Sequence, residues 1–333
     1  MKRQRGYILL LTIVVTAVLA VIVSYFAERI DAARQFAARQ ADASEALLGM
    51  SDDRAETLFR MATSSLTIQG LGAGDHVVRL DNRVYVTHNA RLQLQDTAGL
   101  FSLGMTDDAS LGRLLSACGV PQALLPQLVD VFQDYIDASG LKRLHGAGKS
   151  DYLALGLPPP ANRPLVSTLE LRAMLVWRDL PDEMYQCVIR HSTLTANRIN
   201  INTADAIVLQ TLPGMDARGA KALLDHRTEE QLSDPTLAGK SGNQDSLNLT
   251  MTVGLFPSST IRITQSSPLI GWRAEYEVTM TPLDSHAPWR IDAYRRTPVD
   301  IVGADSTRMP SETPLPPFDL SDTKNDIALP TQF

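Results

Sequence analysis

The feature that most constrains how this sequence can fold is an uncharged apolar run near its N-terminus, from Tyr7 to about Phe26. As an α-helix this run would be roughly 30 Å long, which is the thickness of the hydrocarbon layer of a bilayer. Three cations lie among the first five residues, and charges of both signs follow from Glu28 onwards. Because positive charge tends to stay in the cytoplasm, the pattern predicts one membrane span with a cytoplasmic N-terminus.

Two other kinds of protein can begin with such a run. A cleaved secretory signal has an apolar core of about 7–15 residues that ends in small residues of the A-x-A kind. The apolar run here is longer, and it ends in SYFAER, which does not fit that pattern well. A plain single-span anchor needs the same kind of helix, so length and orientation alone leave that alternative open.

The helical pattern continues beyond the apolar run. Proline and glycine are absent between Tyr7 and Leu48, and alanine and glutamine dominate residues 32–46. Apolar residues recur near helical spacing in this stretch. The sequence therefore predicts one helix of about 40 residues, half apolar and half amphipathic, that ends near Gly49.

Length and composition narrow the class of protein. A chain of 333 residues is long enough for about two domains of ordinary size. Its content of 44% hydrophobic and 20% charged residues is that of a folded protein, and its net charge of −6 lacks the basic excess of a dedicated nucleic-acid binder. We therefore expect no nucleic-acid partner.

The body of the chain alternates between strand-like and helix-like patterns. Predicted strands lie at Ser65–Gln69, His76–Leu80, Val84–His88, Leu92–Gln95, Ser259–Thr264, Trp272–Thr281 and Trp289–Tyr294, with turns at Gly72–Gly74 and Asp81–Asn82. Predicted helices lie between the two groups of strands, at Asp107–Cys118, Gln122–Ala138, Ser167–Trp177, Asp182–Ile189, Thr203–Leu212 and Asp216–Arg227. This order predicts an antiparallel sheet that is split in sequence by a helical domain.

The segment from Asn202 to Arg227 has the pattern of a helix-hairpin-helix. Asn202 is predicted to cap the first helix, with Asp205 at a capping-box position, and Leu212-Pro213-Gly214 would form the hairpin. DNA-binding hairpins usually carry a second glycine where this chain has Asp216. A carboxylate there would cap the second helix and repel phosphate, so we interpret the hairpin as scaffold.

Several stretches together resemble a known family. The Gly6–Tyr7 junction before the apolar helix resembles the processing site of type IV pilins and pseudopilins. LQDTAGLFSLG, LVDVFQDYIDASGLKRLHGAGKSDY, NRPLVSTLELRAML and ININTADAIVLQTLPGMDARGAKALLDHR follow one another in the order of the K family of minor pseudopilins. Leu11 takes the fifth mature position, where most pilins have a glutamate and the K type lacks one.

The resemblance implies an α+β fold: a long N-terminal transmembrane helix, a small antiparallel pseudopilin sheet and an inserted all-α domain with helix-hairpin-helix elements. It divides the chain into a leader that prepilin peptidase removes between Gly6 and Tyr7 with methylation of the new N-terminus (1–6), a stem helix (7–50), the first part of the β-domain (51–105), the inserted α-domain (106–232) and the second part of the β-domain (251–297). Composition predicts the other two segments. Residues 233–250, rich in Ser, Gly, Asp and Asn, are predicted to form a loop, and residues 298–333, with several prolines among scattered acids, a disordered or extended tail.

The family's function is assembly in type II secretion. By resemblance, the chain would sit in the bacterial inner membrane with its head in the periplasm. There it would join the I and J minor pseudopilins at the tip of the pseudopilus and support protein secretion across the outer membrane. Its other partners would be the major pseudopilin, prepilin peptidase and the inner-membrane assembly platform. The alternatives are a membrane-anchored DNA receptor of the competence type and a minor pilin of a type IV pilus.

Four groups of residues are candidates for a site. Cys118 and Cys187 could form a disulfide in an oxidising compartment or be two buried thiols. Asp134 and Asp137, three apart near a helix end, could face one cation, and the family associates this region with calcium. The two Gly-Lys-Ser triplets lack the earlier glycine of a phosphate loop, and the six histidines show no metal spacing. We expect no enzyme.

Overall fold

One helix dominates the N-terminal part of the chain. The computed structural model describes residues 5–87, 90–104, 106–195, 198–229, 231–234, 253–298 and 312–318. The first helix, α1, spans Arg5–Thr63 without a break. The prediction that it ends near Gly49 was wrong. Met50, Leu58 and Met61 are buried in the core, so packing carries the helix across Gly49 and four turns further.

The remaining elements are short. The other α-helices are α2 Asp108–Ala117, α3 Leu125–Ile136, α4 Lys149–Ala154, α5 Asp182–Arg190, α6 Ala206–Leu209 and α7 Ala217–Glu229. The strands are β1 Leu66–Thr67, β2 Gly70–Leu71, β3 Asp81–Val86, β4 Arg91–Asp96, β5 Phe101–Ser102, β6 Ser192–Thr193, β7 Ile199–Asn200, β8 Val253–Gly254, β9 Thr260–Ser266, β10 Trp272–Met280, β11 Trp289–Pro298 and β12 Thr313–Pro314.

The main sheet has six strands in the order β11-β10-β9-β4-β3-β12, antiparallel except for the β12–β3 pair. Its two central strands, β4 and β9, pair with Leu94 opposite Ile263, although more than 160 residues separate them in sequence. The predicted split of the sheet is therefore confirmed. One face of the sheet packs its apolar residues, among them Leu92 and Ile261, against the C-terminal part of α1.

The first predicted strands differ most from the structure. Ser65–Gln69 contributes only to the two-residue pair β1–β2, and His76–Leu80 follows a 3-10 turn and makes a single bridge, between Leu71 and Val78. Asp81–Asn82, predicted as a turn, begins β3. The strand is irregular at this point: Asn82 has a φ of 63°, and the register between β3 and β4 shifts there.

The inserted domain has its own core, centred on the fully buried side chains of Trp177, Phe132 and Tyr152. The predicted helices at Asp107–Cys118, Gln122–Ala138, Asp182–Ile189 and Asp216–Arg227 correspond to α2, α3, α5 and α7. Ser167–Trp177 forms 3-10 turns instead of an α-helix, and Thr203–Leu212 contains only the single turn α6. Helix α4, in the segment with the first Gly-Lys-Ser triplet, was not predicted.

The C-terminal tail was predicted to be disordered or extended, and residues 312–318 are extended. Strand β12 pairs in parallel with β3, and the Leu315 amide donates to the Val86 carbonyl oxygen at 3.2 Å. The Phe318 ring packs edge-on against Phe59 of α1, with centroids 5.6 Å apart. The rest of the predicted tail, and residues 235–250 of the predicted loop, lie outside the described residues.

Candidate functional site

The N-terminal part of α1 is an apolar surface with no partner inside the chain. Tyr7 is 69% and Leu11 is 51% exposed, and no other part of the described chain covers the run up to Phe26. The hydroxyls of Thr12 and Thr16 donate to the carbonyl oxygens of Leu9 and Thr12 at 2.8 and 2.9 Å, so they need no water. Such a surface is suited to lipid or to other apolar helices.

Among the described residues, α1 is the one helix long and apolar enough to cross a membrane. The Gly6–Tyr7 junction lies in its first turns. Cleavage by a prepilin peptidase at this junction stays a prediction, because the structure shows where the bond lies and not how it is processed.

The C-terminal part of α1 is fixed to the sheet by polar contacts as well as by apolar packing. The Arg54 guanidinium donates to the Tyr276 hydroxyl at 2.9 Å and lies over its ring. The Gln265 amide donates to the Met50 carbonyl oxygen at 2.9 Å, just after Gly49. The stem and the sheet therefore form one unit.

A buried carboxylate organises the place where the inserted domain leaves the sheet. Asp96, at the end of β4, is fully buried and accepts the amide of Ala98 at 2.9 Å in a local turn. It also accepts the side chains of Asn200 and Thr203, each at 2.9 Å, and both the amide and the hydroxyl of Ser258. Five donors from both ends of the insertion converge on one side chain.

A second polar cluster joins the sheet to the inserted domain. Arg262 of β9, 5% exposed, forms ion pairs with Glu275 at 3.3 Å and with Glu277 at 2.7 Å. Arg262 Nη1 donates to the Arg190 carbonyl oxygen at 3.0 Å, and Nη2, which also pairs with Glu277, donates to the Ser192 carbonyl oxygen at 2.7 Å. Arg295 pairs with Glu275 as well, so two cations balance two anions. We did not predict either cluster, although the Asp-Thr-Ala-Gly turn after β4 is a sequence signal for Asp96.

The two cysteines come together. Cys118, at the C-terminal end of α2, and Cys187 of α5 are joined in a disulfide, with 5.7 Å between their Cα atoms. The bond links two helices of the inserted domain's core. His191 lies beside it, with Nδ1 3.7 Å from Cys187 Sγ, and in the described residues these three side chains are the one group of at least three potential metal ligands. Because the two sulfurs are bonded to each other, they are not thiolate ligands for a metal in this structure.

The helix-hairpin-helix is present and is capped from within. Gly214, with a φ of 71°, turns the hairpin, and the Asp216 carboxylate accepts the Gly219 amide at 2.7 Å at the start of α7. The predicted cap at Asn202 was wrong: Asp205 caps α6 by accepting the Val208 amide. Asn202 instead bonds to backbone groups near Leu232 and Leu255, which draws residues 202, 232 and 255 together.

The two predicted calcium ligands lie in different environments. Asp134 is buried, and both of its oxygens accept the Arg143 amide at 3.1 Å. Burial raises the pKa of Asp134, and the backbone hydrogen bonds only partly offset it. Asp137 is exposed, and hydrogen bonds from the Ser139 side chain and amide lower its pKa. These donors face the oxygens that a cation would need, so the described residues fit a calcium ion poorly, and calcium binding stays a prediction.

One helix long and apolar enough to cross a membrane is joined to a small antiparallel sheet, and a helical domain is inserted between the two central strands of that sheet. This is the architecture expected of a pseudopilin with an enlarged head. Residues 90–196 match the family model described as type II secretion system (T2SS), protein K. This stretch of the chain therefore carries the domain of protein K, a minor pseudopilin of type II secretion systems.

A solved structure has a similar fold. It is a chain in the crystal structure of the GspK–GspI–GspJ complex from the type 2 secretion system of enterotoxigenic Escherichia coli. The match has 19% sequence identity and a TM-score of 0.53, and it covers 78% of this chain and 98% of that one. No curated protein gives a significant match to this chain.

Proposed function

We propose that this chain caps the tip of a periplasmic pseudopilus together with the I and J minor pseudopilins, and so supports protein secretion across the outer membrane. The observation that carries the proposal is the architecture. The inserted domain enlarges the head, and the stem helix leaves an apolar surface bare. The similar fold in the GspK–GspI–GspJ complex supports I-type and J-type subunits as partners. The role is assembly rather than catalysis.

The stem supplies the mechanism. In the bilayer, lipid covers the surface between Tyr7 and Phe26. In the fibre, the same surface packs against helices of neighbouring subunits, so the transfer exchanges one apolar environment for another at little cost in hydration. The contacts of Arg54 and Gln265 fix the C-terminal part of α1 to the sheet, so the head moves together with the helix when the helix enters the fibre. The assembly platform and the major pseudopilin are the proposed partners in this step.

Leu11 supports a position at the end of the fibre. A carboxylate in an apolar helix bundle is costly unless it has a cationic partner. An end subunit has one fewer neighbour, and in this chain the position is apolar and exposed on α1. A minor pilin within a type IV pilus would be expected to keep the glutamate.

The proposal is tested by assembly. The full-length chain, in detergent, is mixed with full-length I-type and J-type pseudopilins of the same secretion system and analysed by size exclusion with light scattering. We expect a complex containing one copy of each subunit. A chain that elutes alone under all mixing ratios would count against the tip assignment.

A DNA-binding measurement on the same preparation distinguishes the pseudopilin from the alternative function, a DNA receptor of the competence type. The hairpin of α6 and α7 is the feature that favours a DNA receptor, whereas the Asp216 cap and the net charge of −6 oppose it. We expect no salt-sensitive DNA binding at micromolar protein and low salt. Replacing Asp216 with Asn keeps a capping oxygen while removing the charge. Binding that appears in this variant alone would identify the carboxylate as the element that excludes phosphate.

A further inference from the structure

The Cys118–Cys187 disulfide has a neighbour that a purely structural crosslink does not need. One ring nitrogen of His191 lies within 4.8 Å of both sulfur atoms, and its Nδ1 is 3.7 Å from Cys187 Sγ. The histidine is one turn after Cys187, at the C-terminal end of α5, where the helix dipole favours positive charge. A cationic group beside a sulfur stabilises its thiolate form.

The imidazole ring is held so that both nitrogens face oxygen acceptors. Nε2 lies 2.8 Å from Asp205 Oδ2, and Nδ1 lies 2.7 Å from the Cys187 carbonyl oxygen. A neutral imidazole carries one N–H, whereas the imidazolium carries two and satisfies both acceptors. The His191 side chain is only 12% exposed, so protein groups rather than water surround the ring.

Asp205 is itself held in place. Its second carboxylate oxygen accepts the Val208 amide at 2.9 Å as the cap of α6. Burial acts to raise the pKa of Asp205, but the hydrogen bond and charge of His191 outweigh it and lower the pKa, with Val208 adding to the effect. The carboxylate of Asp205 thus orients the imidazole of His191 toward the sulfur atom of Cys187.

We propose that Cys118–Cys187 is an exchange-active disulfide that reacts with dithiols, with His191 stabilising the thiolate that leaves. A thiolate of the dithiol attacks Cys187 Sγ, which belongs to the less buried of the two residues, and the electron pair of the S–S bond passes to Cys118 Sγ. The second thiolate of the dithiol then attacks the mixed disulfide and releases Cys187. The dithiol ends as a disulfide, and the two cysteines gain two electrons and two protons.

The reaction would release a tie between two helices of the inserted domain. Cys118 and Cys187 connect the end of α2 to α5 across 69 residues. With the bond open, apolar packing and the backbone contacts of these helices still hold the core, so the reduced head stays folded but less constrained. This inference concerns the chemistry of the inserted domain and does not depend on the position of the chain in a fibre.

The experiment measures the thiol–disulfide equilibrium of the full chain in detergent. The protein is incubated at pH 7 with mixtures of reduced and oxidised dithiothreitol, free thiols are alkylated with a mass tag, and the reduced fraction is read from the mass shift. His191→Gln should need about a tenfold higher ratio of reduced to oxidised reagent for half reduction, and Asp205→Asn about threefold. His145→Gln, which removes an exposed histidine that also faces an aspartate, is the matched control and should match the wild type.

A second readout is the ultraviolet absorbance of thiolate in the reduced protein, which should fall in His191→Gln and be unchanged in His145→Gln. Circular dichroism of the oxidised proteins establishes that they are folded. If the His191→Gln variant does not fold, the Asp205→Asn variant is used for the test instead. Half reduction of the His191 and Asp205 variants at the wild-type ratio, or an equal shift in the His145 control, would overturn the proposal and leave the bond as a structural crosslink.

Discussion

Asp96 shows how one side chain can determine where an inserted domain begins. Its carboxylate collects donors from the end of β4, from residues 200 and 203, and from residue 258 just before β9. The residues on either side of the insertion are therefore tied to the same anion. Hydrogen bonds to a charged group are the stronger ones, and a buried donor left without its acceptor is costly.

We expect Asp96→Asn to lower the free energy of unfolding by about 3 kcal/mol, because the amide that replaces one oxygen faces donors it cannot satisfy. Thermal and denaturant unfolding of the full chain in detergent measures this. Asp52→Asn, at an exposed position of α1, is the matched control and should change stability by less than about 0.5 kcal/mol. Equal effects of the two variants would mean that Asp96 is not the organising group.

The Asp81–Arg83 ion pair makes a pH-dependent contribution at the start of β3. Burial acts to raise the pKa of Asp81, but the hydrogen bonds and charge of Arg83, which pairs with it at 2.6 Å, leave the pKa below its usual value. A carboxyl with a lowered folded-state pKa stabilises the fold above its unfolded-state pKa of about 3.9. This stabilisation is lost as the pH falls through the lower folded-state pKa.

Asp81→Asn should therefore cost about 1 kcal/mol at pH 7, and the difference from wild type should vanish in acid, below the folded-state pKa. Denaturant unfolding at a series of pH values gives the two curves. Asp225→Asn, which breaks an exposed pair with Lys221, should stay close to wild type throughout. A wild-type advantage that persists unchanged at the acid end would show that the carboxylate charge is not its source.

At the level of single residues, the sequence predicted local chemistry better than long-range partners. The cap at Asp216 was predicted from its position in the hairpin, and its carboxylate does cap α7. Apart from the neighbouring Ala98, the partners of Asp96 are more than 100 residues away, and a pattern along one sequence contains no signal for them. Asp134 and Asp137 share a helix face by spacing, but the fold buries one and exposes the other.

Helices and strands were predicted correctly where their local sequence periodicity, rather than tertiary packing, determines the structure. Helix α2 and strands β9 to β11 have strong periodicity and lie close to the predicted bounds. The continuation of α1 through Gly49 depends on a sheet that pairs residues from both ends of the chain, so packing overrides the local glycine signal. Ser167–Trp177 has a helical pattern, yet Val176 adopts a φ of 68° and the segment tightens into 3-10 turns around the buried Trp177.

The C-terminal strap, residues 312–318, closes one edge of the sheet. Besides β12, it contributes an ion pair between Glu312 and Arg91 at 2.7 Å and a contact of Phe318 with the Arg60 guanidinium. The proline-rich composition of this region favours an extended backbone, which disorder and an edge strand share. For this reason the sequence alone could not distinguish an edge strand from a disordered segment in these residues.

Deleting residues 312–333 should lower the unfolding free energy by about 1–2 kcal/mol, because the edge of β3 and the apolar surface around Phe59 become exposed. Deleting residues 319–333 keeps the strap and is the matched control. Phe318→Ala should account for about half of the loss. Limited proteolysis and thermal unfolding of the three proteins measure the effect, and a control deletion as damaging as the full one would place the stabilisation outside the strap.

On the scale of the whole molecule, the chain combines two parts with opposite requirements. The head is a closed unit in which buried charges such as Arg262 and Glu275 have partners. The part of α1 between Tyr7 and Phe26 is an apolar helix whose large apolar side chains are exposed. This contrast is what an assembly subunit needs, because the head must be stable before the stem finds its neighbours.

The proposed tip position makes a prediction about Leu11 that a generic anchor does not share. Leu11→Glu restores the charge pattern of other pilins in a subunit that, at the end of the fibre, has no neighbouring amine to pair with it. The unpaired carboxylate should cost about 3 kcal/mol in the apolar environment and lower secretion and pseudopilus formation in cells lacking the wild-type gene. Leu11→Met, which keeps the position apolar, should retain both activities. If Leu11→Glu instead assembles and secretes as well as Leu11→Met, then the carboxylate has found a partner, and the subunit lies within the fibre rather than at its tip.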